Sequence, residues 1–127
     1  MIIAYFTILA LLVASDLAWI SLVAGPQYKK QLGGLLREKP RKAAGALFYV
    51  FYPAALVYFA ILPGIATESL QHVIANGAIL GTVGYATFSL TNWAVLTPWS
   101  GSLVITDILW GGFLAAASSA AGYFAAT

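Results

Sequence analysis

Residues 2–24 read I-I-A-Y-F-T-I-L-A-L-L-V-A-S-D-L-A-W-I-S-L-V-A, an apolar run with one charge, Asp16. Crossing a bilayer takes about 20 mostly apolar residues, so this run is long enough to span. Three further runs qualify, at 43–63, 72–96 and 103–125. The first is expected to end at Gly25-Pro26 and the second at Pro63-Gly64. The third fades at Thr97-Pro98, and the fourth follows a Ser100-Gly101-Ser102 cap. Segments immersed in lipid must satisfy their own backbone, and a closed barrel would need many alternating strands, so the spans are helices. The sequence thus predicts an all-α, four-helix transmembrane bundle. It forms one domain over 1–127, with a short basic interfacial segment between helices 1 and 2.

Composition agrees. The 127 residues are 61% hydrophobic and only 8% charged, whereas a soluble domain is about a quarter charged. There is no cysteine, which excludes disulfides, zinc–thiolate sites and thiol catalysis. No nucleophile elbow, zinc-protease helix or phosphate-cradling glycine loop occurs, and neither a metal site nor a cofactor is expected. His72 opens span three, ~30 Å along the helix from Asn92, too far for a histidine–aspartate site. The N-terminal run has no basic flank and reads as a retained span, not a cleaved leader.

All six basic residues (Lys29, Lys30, Arg37, Lys39, Arg41, Lys42) fall between spans one and two. This is a topology signal and not a nucleic-acid footprint. It puts the 25–42 loop in the cytoplasm and both termini outside, in a multi-pass membrane protein. Tyr28, Leu32, Leu35 and Leu36 share a helical face opposite Lys29, Lys30 and Arg37. The segment is either a short helix on the headgroups or a plain basic loop.

The polar residues inside the spans carry the functional signal. S-D-L-A-W at 15–19 and T-D-I-L-W at 106–110 repeat an Asp-x-x-Trp spacing. Asp16 lies ~12 Å and Asp107 ~7 Å from the inner ends of their spans, so both reach the cytoplasmic half. Asn92, Tyr49 and Tyr52 fall at similar depth. On the fourth span, positions 107, 111, 114, 118 and 122 form one small-residue stripe that includes Gly111. On the third, Gly77, Gly81, Gly84, Tyr85, Phe88 and Asn92 form another. Gly45, Tyr49, Tyr52 and Leu56 align on the second, and Pro53 frees the carbonyl of Tyr49.

An Asp at mid-helix costs ~2.5–3.5 kcal/mol on insertion scales, and no span supplies a cation to pair with it. Two adjacent carboxylates in low dielectric do not both ionise, leaving a donor beside an acceptor. Asp16, Asp107, Asn92, Tyr49 and Tyr52 are therefore the candidate ligand-binding or proton-exchanging residues. Trp19, Trp93 and Trp110 are their aromatic surround, and Gly77, Gly81, Gly84 and Gly111 the packing residues. The competing readings are a structural polar knot and, for the tryptophans, an interfacial belt.

S-D-L-A-W at 15, G-P-Q-Y-K-K-Q-L-G from 25, A-L-F-Y-V-F-Y at 46, Y-A-T-F-S-L-T-N-W at 85 and D-I-L-W-G at 107 together give a resemblance. Across nearly its whole length the chain resembles the bacterial family called domain of unknown function 2177, small four-span membrane proteins. That family carries tyrosine and aspartate where this chain has Phe88 and Ser89. The resemblance thus implies that one membrane carboxylate is missing here, which favours binding or packing over chemistry needing three acids. Its genomic setting, beside fatty-acid-modifying enzymes, implies lipid-related work. The expected function is binding or processing of a lipid or other amphiphile. An accessory or assembly subunit of a larger membrane complex is the alternative. A proton-coupled carrier or channel is disfavoured, because the outer half lacks matching polar residues. Expected partners are membrane lipids and a homo-oligomer or larger membrane complex.

Overall fold

A computed structural model describes residues 1–35 and 41–127. Four helices account for nearly all of them: α1 (Ile2–Leu35), α2 (Lys42–Thr67), α3 (Leu70–Val95) and α4 (Gly101–Ala126). Each is long and apolar enough to cross a membrane, and no strand occurs among the described residues. α3 and α4 begin and end close to where the hydrophobic runs do. Both start on a serine cap: Ser69 accepts from the His72 N–H at 3.2 Å, and Ser100 from the Leu103 N–H at 3.3 Å.

α1 and α2 depart from expectation, because neither Gly25-Pro26 nor Pro63-Gly64 ends its helix. Each proline follows a single π turn, at Ile20–Ala24 and at Val57–Ile61. There the Gly25 N–H reaches back to the Ile20 carbonyl, and the Leu62 N–H to that of Val57. The proline comes next, where the ladder changes register, so its missing N–H interrupts no continuing run of bonds. A Cβ at Gly25 would collide with the Ile20 carbonyl oxygen, which is why glycine occupies that position.

The consequence for α1 is reach. Its 34 residues extend ~51 Å, well beyond the ~30 Å hydrocarbon layer. Of the apolar face read at Tyr28, Leu32, Leu35 and Leu36, Tyr28 and Leu32 turn inward while Leu35 is 64% exposed. Tyr28 and Leu32 pack against Trp99, Leu103 and Val104 at the start of α4. Leu36 and Arg37, assigned to that helix from the sequence, lie outside the described residues.

α4 is the central helix. The stripe read from its sequence is the buried one, since Asp107, Gly111, Leu114, Ser118 and Gly122 are all buried. α3 packs along one side of it and α1 along the other. A Cβ on Gly77 would sit 2.7 Å from the Ser119 hydroxyl, and one on Gly81 would strike the Gly111 carbonyl. The α3–α4 backbones therefore approach as closely as glycine allows. α1 presents Ala4, Ile8, Leu12 and Asp16, four apart and all buried.

α2 completes the bundle unevenly. Its far end, Val57–Thr67, packs on α3, while Lys42–Leu56 lies mainly against α1. Pro53 and the π turn interrupt the α2 ladder between those two regions. The Tyr5 hydroxyl donates to the Val50 carbonyl at 2.8 Å, one residue from the Tyr49 carbonyl that Pro53 leaves without its usual donor. Outward faces stay apolar: Ile2, Leu22, Phe51, Tyr58, Val95, Leu109 and Phe113 are all more than half exposed. Such a surface is stable facing acyl chains and not water.

Candidate functional site

Asp16 and Asp107 are 94% and 96% removed from solvent, on neighbouring helices at the same end of the bundle. Among the described residues, every partner of either is a neutral donor. Asp16 Oδ1 accepts from Trp110 Nε1 at 2.9 Å, and its Oδ2 from the Tyr49 hydroxyl at 2.7 Å and that of Tyr85 at 3.5 Å. The indole N–H only donates, so Oδ1 is fixed as an acceptor. Trp19 stacks on Trp110, ring centroids 4.3 Å apart and planes 5° from parallel. The two Asp-x-x-Trp pieces thus interlock: the tryptophan of the second serves the aspartate of the first.

Asp107 has its own set. The Tyr28 hydroxyl lies 2.9 Å from Oδ1 and 3.2 Å from Oδ2, and Ser89 donates to Oδ2 at 3.1 Å. Ser89, fully buried, accepts in turn from Trp99 Nε1 at 3.2 Å. Among the described residues the two carboxylates share no hydrogen bond. What they share is a cavity of about 210 Å³ lined by both, with Trp19, Tyr28, Tyr85, Phe88 and Trp110 among its walls. The π turn contributes Ile20 and Ala24 to the same lining.

A second cavity of about 540 Å³ adjoins the first. Phe48, Tyr52, Leu80, Gly84, Tyr85 and Phe88 line it. It occupies the gap where the first half of α2 diverges from α3. Tyr85 and Phe88 belong to both linings, so these two side chains are the wall between an acidic chamber and an apolar cleft.

The model of one family, described as "Predicted membrane protein (DUF2177)", matches residues 1–124. The chain belongs to that family. No curated protein and no solved structure matches it. The description of DUF2177 names a setting, the membrane, and no reaction.

Within this DUF2177 chain, the residues singled out from sequence separate into groups. Asp16, Asp107, Tyr49, Trp19 and Trp110 meet around or beside the chamber. Tyr52 lines the cleft, and its hydroxyl is buried without a partner among the described residues. Asn92 is half-buried, and its side chain bonds neither aspartate among the described residues; its main-chain carbonyl accepts from Leu96 at 2.8 Å. Trp93 is 52% exposed and is not among the chamber-lining residues. Gly77, Gly81 and Gly111 make close helix contacts, but a Cβ on Gly84 would meet nothing within 4 Å. Gly84 is cleft floor, not a packing contact. Four residues left out of the expected site belong to the network: Tyr28, Tyr85, Ser89 and Trp99. The signal for Ser89 was its place four residues beyond Tyr85 and eight beyond Gly81, on the face that packs against α4.

Proposed function

We propose that this protein binds, or helps process, a lipid or other amphiphile in a two-part intramembrane site. The head group occupies the chamber of Asp16 and Asp107, and the tail lies in the cleft of Phe48, Tyr52, Leu80 and Gly84. One observation carries the reading: an acidic chamber and an apolar cleft share Tyr85 and Phe88 as a common wall. A cleft of about 540 Å³ falls in the size range of small-molecule sites, which combine apolar walls with a few placed polar groups. The protein is proposed to sit in a bacterial inner membrane with the chamber in the cytoplasmic leaflet, because its basic residues cluster at that end.

Photo-crosslinking tests this. An amphiphile with a photoreactive tail is incorporated with the purified protein, irradiated, and its adducts mapped by mass spectrometry. Adducts are expected on Phe48, Tyr52, Leu80 and Phe88. Adducts distributed evenly over outward residues such as Leu22, Val95 and Leu109 would remove the proposal.

A further inference from the structure

The chamber's chemistry narrows the head group, on the premise that the amphiphile reading holds. Its polar lining consists of two carboxylates and the hydroxyls of Tyr28 and Tyr85; among the described residues no lysine or arginine lines it. Those hydroxyls already donate to Asp107 and Asp16. A carboxylate has about four acceptor sites, so each aspartate keeps acceptor capacity beyond its present donors. An anionic head would face two carboxylates with no counter-charge. A cation would meet both, and would also meet aromatic rings from three helices, Trp19, Tyr28, Tyr85, Phe88 and Trp110. Aromatic faces attract cations within ~6 Å, and such cages bind quaternary ammonium groups. The volume, about 210 Å³, is less than half the cleft's 540 Å³, a space suited to a small head.

An independent observation points to an occupant of the adjoining cleft. The Tyr52 hydroxyl is buried with no partner among the described residues. A buried polar group left unpaired is costly, and a ligand's ester, ether or hydroxyl oxygen reaching it from the cleft would relieve it.

We infer that the amphiphile carries an ammonium head, held between Asp16 and Asp107 against the chamber's aromatic rings, with its next polar group beside Tyr52.

The test uses the whole protein in neutral maltoside micelles. Three long-chain amphiphiles share one brominated tail and differ only in the head: trimethylammonium, neutral polyol and sulfate. Bromine quenching of tryptophan fluorescence reports binding through Trp19 and Trp110. The ammonium compound is expected to bind at least about tenfold more tightly than the polyol, and the sulfate more weakly than either. The chain's net charge of +2 opposes this order, so non-specific attraction cannot produce it. Equal binding of ammonium and polyol heads, or a preference for sulfate, overturns the inference and leaves the amphiphile reading standing. No saturable quenching by any of the three defeats the amphiphile reading itself. Because the series runs on the unaltered chain, the result does not depend on a variant folding. Asp16→Asn and Asp107→Asn, where they fold, are expected to reduce the ammonium preference. Adding phosphatidylethanolamine assigns the head's source: competition means a bilayer lipid, and its absence a free long-chain amine.

Discussion

Tyr49 and Tyr52 stand one turn apart on α2, yet the bundle treats their hydroxyls oppositely. That of Tyr49 donates to Asp16 at 2.7 Å, while that of Tyr52 is buried with no partner among the described residues. Tyr49→Phe takes a donor from a buried carboxylate and is expected to cost about 1–2 kcal/mol. Tyr52→Phe removes only an orphan and is expected to fall within about 0.5 kcal/mol of the parent, or to stabilise it. Unfolding in maltoside micelles by increasing dodecyl sulfate measures both; equal losses would contradict the hydrogen-bond assignment. Trp110→Phe should cost more than Tyr49→Phe, since it removes a donor to Asp16 and weakens the stack on Trp19 together. At this scale the sequence disclosed that Asp16 and Asp107 are expensive to bury, because charge inside an apolar run is legible without coordinates; it set them side by side, whereas each is held by its own donors. It did not disclose their donors. Tyr28 was hidden by reading Gly25-Pro26 as a helix end, which moved residue 28 out of the bundle. Ser89 was hidden because the stripe on α3 was followed through Gly84 and Phe88, one residue off the face that packs against α4.

Glycine does two different things along the elements, and substitution separates them. On α3 and α4, Gly81 and Gly111 sit where added Cβ atoms would strike the opposing helix, Gly111 against the Tyr85 ring. Gly81→Ala and Gly111→Ala are expected to lose ~1–3 kcal/mol by overpacking, seen as an earlier dodecyl sulfate midpoint. Gly84→Ala meets open space and should not destabilise, since alanine is the better helix former. Gly84→Leu should also fold, but should fill the cleft and abolish the tail adducts there. A Gly84→Leu protein that is stable and still crosslinks at Tyr52 would place the tail elsewhere. The α4 stripe was readable from sequence because four-residue spacing of small residues needs no knowledge of the partner. The two π turns were not readable, since glycine and proline mark a break without saying whether the helix resumes. Gly25→Ala tests that point: a Cβ there meets the Ile20 carbonyl. The change should displace Tyr28 from Asp107 and loosen the 28–35 cover over Trp99, detected as faster amide exchange in that segment with the α3–α4 core unchanged.

For the molecule as a whole, polarity follows one axis. The tyrosine-rich acid chamber, the Tyr28–Trp99 contact at 5.4 Å between ring centroids, and the basic residues Lys29, Lys30, Arg41 and Lys42 all gather at one end. The opposite end holds the Thr67–His72 turn, its hydroxyl and imidazole 2.9 Å apart, and the end of α4. α4 alone, at 26 residues, separates the two by ~39 Å. The fold fixes which end carries the chamber, and the proposed cytoplasmic orientation of that end rests on the clustering of Lys and Arg there. A chain with no native cysteine allows this to be measured with single introduced thiols. Thr97 and Thr127 are exposed at opposite ends. In spheroplasts a membrane-impermeant maleimide should label Thr127→Cys at once, and Thr97→Cys only after permeabilisation. The reverse pattern would move the chamber to the outer leaflet, contradict the cytoplasmic assignment of the basic segment, and require any amphiphile to approach from the outer face. Labelling of both sites in intact spheroplasts would mean two orientations coexist, which an accumulation of positive charge at one end is expected to prevent.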